Sequence, residues 1–326
     1  MSKVIYKNHL EELVKELSAF GRVVAPVERH AQSGASKIVF AEYSAGDRLE
    51  VDYPTTVMSP KEFLLPPEET LFEFSGGKTK SSVPPSTVIF GVSYADLEGL
   101  SKLKEIFAKP VEDETFQKRA TATIIVGIDR FSPPESIVFD VYLQKVTTEK
   151  YVALAGSQAG QKILKLPVFK NEKVAIPKVT KKADALLTDS ELPTAIAKSK
   201  NHPIWNELEE KCFACGICSF TCPLCYCFET EDMTTLPTTE PLTGIRSRKW
   251  STCFSEDFAA TAGHNFRPER KDRIYNWYYH KFVRMPKEHN FTGCVDCDRC
   301  LVFCPAKINF RVVLNTILKD YKPGKK

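Results

Sequence analysis

Cys212-Phe213-Ala214-Cys215-Gly216-Ile217-Cys218-Ser219-Phe220-Thr221-Cys222-Pro223 is answered further along the chain by Cys294-Val295-Asp296-Cys297-Asp298-Arg299-Cys300-Leu301-Val302-Phe303-Cys304-Pro305. Both stretches have the spacing C-x-x-C-x-x-C-x-x-x-C, and both end in proline. A structural zinc ion takes two separated C-x-x-C pairs, and its tetrahedron has no use for a third cysteine crowded within seven positions. Disulfides fit no better. The total of eleven cysteines is odd, and Met1-Ser2-Lys3-Val4-Ile5-Tyr6 lacks the apolar stretch of a secretory signal.

The chemistry that needs this run is a cubane [4Fe–4S] cluster, as bacterial-type ferredoxins hold it. Three thiolates close in sequence wrap one cube. The fourth has moved away along a helix and ligates the other cube. The expected ligands are therefore Cys212, Cys215, Cys218 and Cys304 for one cluster, and Cys294, Cys297, Cys300 and Cys222 for the second.

A chain of 326 residues exceeds what one core usually fills, so two domains are expected. Its hydrophobic fraction of 43% and charged fraction of 26% are ordinary for a globular protein. No apolar run approaches membrane-spanning length, so no membrane insertion is expected. The formal charge of +4 does not argue for nucleic acid. Two oxidised cubes with their thiolates carry roughly two negative charges each, which cancels the surplus. Reduced thiols and iron–sulfur chemistry place the chain in a reducing, cytoplasmic compartment.

The expected fold class is α+β. An N-terminal mixed α/β domain, residues 1–202, precedes a mainly helical, bacterial-ferredoxin-like dicluster domain, residues 203–326, with a long insert over 223–293. In the first domain, Leu10, Leu13, Val14, Leu17 and Phe20 have helical spacing, with Gly21 as the stop. Arg22 to Val27, Ile38 to Tyr43 and Phe63 to Leu65 read as short strands. Gly76-Gly77-Lys78-Thr79 lacks the rest of a phosphate-binding loop and reads as a mobile loop. Val88 to Val92, Asp96 to Ala108 and Thr121 to Ile128 form a strand–helix–strand unit, which implies some parallel sheet. Ile137 to Leu143 and Tyr151 to Ala155 read as further strands. No G-x-G-x-x-G follows any strand, so no flavin or nicotinamide site is expected in this chain.

Lys178 to Lys200 reads as a linker or a crossing helix, and Trp205 to Lys211 as a short helix leading to the first cysteine. Within the insert, Pro268 to Met285 reads as a helix that Pro286 ends. Ile274, Trp277, Tyr278, Lys281 and Phe282 share one of its faces. A helix from Phe310 to Asp320 and a lysine-rich tail close the chain. Cys225, Cys227 and Cys253 are left over. They are either buried thiols packed beside the clusters or a third iron–sulfur site completed by His264, His280 or an aspartate. His264 on its own reads as a structural hydrogen-bonder.

The second domain resembles a known family. The segments Cys222-Pro223-Leu224-Cys225-Tyr226-Cys227-Phe228, Arg248-Lys249-Trp250-Ser251-Thr252-Cys253-Phe254, Gly263-His264-Asn265-Phe266-Arg267 and Tyr278-Tyr279-His280-Lys281-Phe282 carry the likeness. With the second cysteine run, their order resembles the iron–sulfur β subunit of cytoplasmic sulfhydrogenases. It is similar also to the A subunit of anaerobic sulfite reductase. The likeness is close over Trp205 to Phe310 and fainter before it, at Lys61 to Pro67, Gly91 to Leu97 and Asp113 to Arg119.

The resemblance implies an electron-transfer subunit with no chemistry of its own. It would relay electrons from a flavoprotein subunit, supplied by NAD(P)H or ferredoxin, to a separate catalytic subunit. The alternative is a reductase subunit that binds sulfite, polysulfide or another small oxidant directly at a cluster. Two departures stand out. The family often has first-domain cysteines near the positions of Ala95 and Ile128, whereas all eleven cysteines here follow residue 211. The family's second run also has glycines where this chain has Asp296 and Asp298. A carboxylate beside a cube is expected to make reduction harder.

Overall fold

The computed structural model describes residues 1–30, 36–235 and 242–321. The lysine-rich tail beyond Tyr321 lies outside them. The chain forms two compact units: residues 1–181 with 231–247, and residues 182–230 with 248–326.

The first unit is built on β1 (Ser2–Tyr6), α1 (Leu10–Leu17), β2 (Arg22–His30), β3 (Ser36–Glu42), β4 (Glu68–Ser75), β5 (Lys78–Lys80), β6 (Thr87–Val92), α2 (Tyr94–Ala108), α3 (Glu114–Thr121), β7 (Thr123–Asp129), β8 (Val141–Lys145), β9 (Lys150–Ala155), α4 (Gln158–Ile163) and β10 (Lys170–Glu172). Among the described residues, eight strands form one mixed sheet in the order β10-β1-β9-β8-β7-β6-β2-β3. Its middle is parallel, with β2 beside β6, β6 beside β7 and β7 beside β8. Its flanks are antiparallel. The expected strand–helix–strand unit is β6-α2-β7.

Every residue of β6 is buried, as a strand covered on both faces requires. Val88 and Phe90 of β6 and Val126 and Ile128 of β7 join Leu10, Leu13, Val14 and Leu17 of α1 in one core. The period of two puts Ile89 and Ile125 on the opposite face. Pro26 sits within β2, yet costs the sheet little. The pairing of β2 with β6 covers only Arg22 to Val24, so the missing N–H falls beyond it.

Two expectations are corrected here, and one helix is added. Phe63 to Leu65 is no strand. Pro60 to Phe63 is a turn of 3₁₀ helix, the Leu64 N–H donates to the Lys61 carbonyl at 2.9 Å, and Leu64 and Leu65 are fully buried. Apolar burial alone does not separate strand from tight helix in so short a run. Gly76 and Gly77, read as a loop, form the two-residue turn of the hairpin β4–β5, with φ of +54° and +78°. Two left-handed residues are what a type I′ hairpin turn needs. The helix α3 was not expected. Asp113 caps it by accepting from the Phe116 N–H at 2.8 Å, and its Phe116 stacks on Phe107 of α2 with ring centroids 4.3 Å apart.

The second unit contains α5 (Leu192–Lys198), α6 (Ile204–Lys211), α7 (Ile217–Phe220), β11 (Phe228–Thr234), β12 (Thr243–Trp250), α8 (Arg270–Tyr279), α9 (Met285–His289), α10 (Arg299–Val302) and α11 (Phe310–Asp320). The segment 231–247 of the β11–β12 ribbon counts with the first unit, in a sheet ordered β11-β12-β4-β5. The division of the chain therefore falls at residue 181, ahead of the expected boundary near Pro203. The cause is α5. Its Leu192, Ala195 and Ile196 are buried in one core with Trp205 of α6, Trp277 of α8 and Leu314 of α11.

Pro286 does not end the long helix either. Between α8 and α9, His280–Arg284 forms a π-turn, and the helix runs on to Asn290 in a left-handed cap. The wider turn falls just before the proline, whose missing N–H would break an ordinary α-helical ladder. Among the described residues, no helix is long and apolar enough to cross a membrane.

Candidate iron–sulfur centres

The two cysteine runs fold alike. In the first, Cys212 follows α6, the chain turns through left-handed Ala214 and Gly216 (φ +53° and +71°), and α7 then carries Cys218. In the second, Asp296 and Asp298 hold the corresponding positions, both at φ +59°, and α10 carries Cys300. Each loop turns amide donors onto sulfur. The Ala214 N–H donates to Cys212 Sγ and the Asp296 N–H to Cys294 Sγ, both at 3.4 Å. The outlying cysteines receive the same treatment. Leu224 N–H donates to Cys222 Sγ and Ile308 N–H to Cys304 Sγ, again at 3.4 Å.

One cavity is lined by Cys212, Cys215, Cys218 and Cys304, with Leu208, Phe254, Ile274 and Tyr278 among its apolar walls. A second is lined by Cys222, Cys294, Cys297 and Cys300. The last cysteine of each run thus faces the cavity of the other run. Cys218 also borders the second cavity, Cys300 also borders the first, and Trp277 lines both.

Burial pushes the Cys294 thiol up to about 11, and raises those of Cys212, Cys218 and Cys300 as well. Buried thiols of this kind give up their protons to a metal, not to water. Among the described residues, no three His, Cys, Asp or Glu side chains close on one point as ligands of a single ion would. Sulfurs set around a cube have no need to converge in that way. The Trp277 indole N–H is buried without a partner among the described residues, a donor that a sulfide can satisfy. Donor set, amide-to-sulfur bonds, apolar walls and orphaned N–H all fit a cubane cluster in each cavity.

With that geometry in hand, similarity to known proteins becomes informative. Residues 211–308 match the family model of the 4Fe-4S dicluster domain. The chain carries a dicluster domain. Over 339 aligned residues it is 29% identical to sulfhydrogenase 2 subunit beta of Pyrococcus furiosus, covering 96% of this chain and 97% of that protein. No solved structure is a significant match.

Each leftover cysteine has a sulfur partner within the same unit. Cys225 is hydrogen-bonded to Cys222, and Cys253 to Cys227. These bonds, followed by burial, raise the thiols of Cys225 and Cys253 well above the usual range. The two histidines offered as fourth ligands are occupied elsewhere. His264 is exposed and packs edge-on against Phe266, with ring centroids 4.8 Å apart. His280 is half-buried, its desolvation lowers its pKa to about 4, and its Nε2 lies 3.4 Å from the Tyr226 hydroxyl.

Two charged residues were missed as parts of the site. Arg311, at the start of α11, forks between the loop's two aspartates and a third. Its Nη2 bonds Asp296, its Nη1 donates to Asp298 at 2.7 Å, and its Nε donates to Asp184 at 2.9 Å. The carboxylates beside the second run are therefore partly neutralised, which tempers the effect expected from them on sequence grounds. The other is Lys281, in the π-turn and only 5% exposed. Its appearance on an apolar helix face was the available signal.

The aspartates also explain why only one run keeps its glycine. A Cβ at Gly216 would fall 2.7 Å from Thr252 Cγ2 and 3.0 Å from the Phe220 ring, whereas Asp298 reaches Arg311. Gly216→Ala is expected to destabilise the second unit by about 1–3 kcal/mol through overpacking and left-handed strain, and Asp298→Gly by less. Thermal unfolding of the two variants, followed by near-UV circular dichroism, checks the asymmetry; equal losses would remove it.

Proposed function

We propose that this chain is the electron-transfer subunit of a multi-subunit oxidoreductase. Two [4Fe–4S] clusters supply one-electron redox chemistry. Cys212, Cys215, Cys218 and Cys304 hold one, and Cys294, Cys297, Cys300 and Cys222 hold the other. The observation that carries the reading is the exchange of the fourth cysteines: Cys304 lines the cavity of the first run and Cys222 that of the second. Amide donors fix the sulfurs, and the apolar walls exclude water. Cys215 and the adjacent Phe213 are exposed, which opens the first cavity towards a partner.

The named relative is a sulfhydrogenase subunit, and its likeness along nearly the whole chain supports a role within a hetero-oligomeric complex. The donor there is a flavoprotein subunit and the acceptor a catalytic subunit, of hydrogenase type or of sulfite- or sulfur-reductase type. The first unit serves as the docking domain. Cys225, Cys227 and Cys253 serve as packing thiols.

The experiment is turnover by the isolated chain, reconstituted anaerobically and reduced with dithionite. The chain is expected to cycle reversibly and to pass electrons to a viologen dye, while leaving sulfite and polysulfide unconsumed. Steady consumption of either by the chain alone would replace the relay with a reductase.

A further inference from the structure

Lys281 is held in place by its own backbone as well as its side chain. The π-turn releases the Lys281 carbonyl from the regular helical pattern, and the Gly293 N–H donates to it at 2.7 Å. In return, Lys281 Nζ donates to the Gly293 carbonyl at 2.8 Å. A Cβ at Gly293 would lie 2.7 Å from Lys281 Cα, so the two segments approach as closely as glycine allows. The second cysteine run begins at the next residue. This arrangement aims the ammonium at sulfur, with Nζ 3.4 Å from Cys222 Sγ and 5.2 Å from the centre of the Trp277 ring.

A lysine this buried is unusual, since desolvation works against its charge. Here Nζ meets two acceptors suited to an ammonium donor, Cys222 Sγ and the Gly293 carbonyl. Lys281 lines the cavity of Cys222, Cys294, Cys297 and Cys300 and is absent from the lining of the other. The ammonium is therefore placed asymmetrically, against the thiolates of one cluster. A positive charge beside thiolate ligands favours the reduced, more negative state of the group they hold.

The opposing charges nearby are Asp296 and Asp298. Their side chains are 28% and 44% exposed, and both are paired with Arg311. Arg311 offsets part of their charge, whereas the ammonium is 5% exposed and acts through the lower dielectric of the interior. The lysine outweighs the paired aspartates.

We propose that Lys281 sets the order of reduction, making the cluster held by Cys222, Cys294, Cys297 and Cys300 the first of the two to accept an electron. The proposal rests on the ligand sets given under the proposed function. The test keeps the two apart, because loss of iron uptake by the wild-type chain would defeat the ligand sets, whereas a wrong order of reduction in the loaded chain defeats only this inference.

The full chain is labelled with [ε-¹⁵N]lysine, loaded with iron and sulfide, and poised with one electron per chain. The electron paramagnetic resonance signal of the first-reduced cluster is expected to show a ¹⁵N hyperfine coupling, and Lys281→Arg to lose that coupling while keeping the order. A coupling that emerges only with the second electron, or never, overturns the proposal. In Lys281→Met, which keeps a long apolar stem, the one-electron reduction equilibrium of that cluster is expected to fall about tenfold, a shift of about 59 mV. Equal shifts of both midpoints, or no shift in a fully loaded variant, also overturn it. If the methionine variant fails to load, the isotope experiment on the wild-type chain still decides.

Discussion

Changing Cys212 and Cys304 together to serine is expected to remove one cluster's iron, about four of about eight atoms per chain, and to leave the other cluster's signal unchanged. Changing Cys212 and Cys222 together is expected to remove both. The two double variants each delete two thiols, so a general loss of fold would affect them alike. They differ only in whether the thiols face one cavity or two. Cys212 and Cys304 line the same cavity, while Cys222 lines the one that contains Cys294 and Cys297. Iron analysis with Mössbauer spectroscopy checks the pair. The reverse pattern, with Cys212 and Cys222 behaving as partners, would show that each run closes its own cube. The losses are large because a cube left with only two or three thiolates is open to water and oxidant wherever a thiolate is missing.

Arg311→Met is expected to lower the stability of the second unit by about 2–3 kcal/mol, as the loss of three charge-assisted hydrogen bonds from a half-buried centre implies. Arg311 ties three places in the sequence together: Asp184 at the entry to the unit, Asp296 and Asp298 in the cysteine loop, and its own helix α11. Without it, three carboxylates face one another unpaired. Combining Arg311→Met with Asp296→Gly and Asp298→Gly is expected to recover part of the loss, since glycine accepts the left-handed angles and removes two of the charges. Redox titration supplies a second sign. Arg311→Met lowers the midpoint of one cluster, and Asp298→Gly raises it by a smaller amount. Thermal unfolding of the unit with and without the rescue measures the coupling, and additive losses would dispose of the clamp.

The cysteine spacing made the centre of this structure legible because ligation demands residue types at fixed intervals, whatever surrounds them. The strand–helix–strand unit was legible because β6 is an unbroken apolar run and α2 carries Leu97, Leu100, Leu103 and Phe107 at helical spacing. What escaped is instructive in physical terms. Asp296 and Asp298 were recognisable as departures from glycine, but their partner Arg311 lies beyond Cys304, and no local pattern links the three. Lys281 was visible as a basic residue on an apolar face. Its aim depends on a π-turn, and nothing in the residues His280 to Arg284 signals a wider turn except the proline two positions later. The early boundary of the second unit was hidden because Lys178 to Lys200 looks like a polar linker, and the few apolar residues of α5 find their burial only against helices distant in sequence. The hairpin at Gly76-Gly77 was legible in principle, since two adjacent glycines between strand-like segments favour a type I′ turn.

Iron and acid-labile sulfide counted on the anaerobically purified chain test the paired cavities most directly. The account predicts about eight of each, with dithionite producing a paramagnetic signal from two interacting reduced centres. A colourless chain with one or two firmly bound zinc ions would contradict it, and about twelve iron atoms would return Cys225, Cys227 and Cys253 to the ligand list.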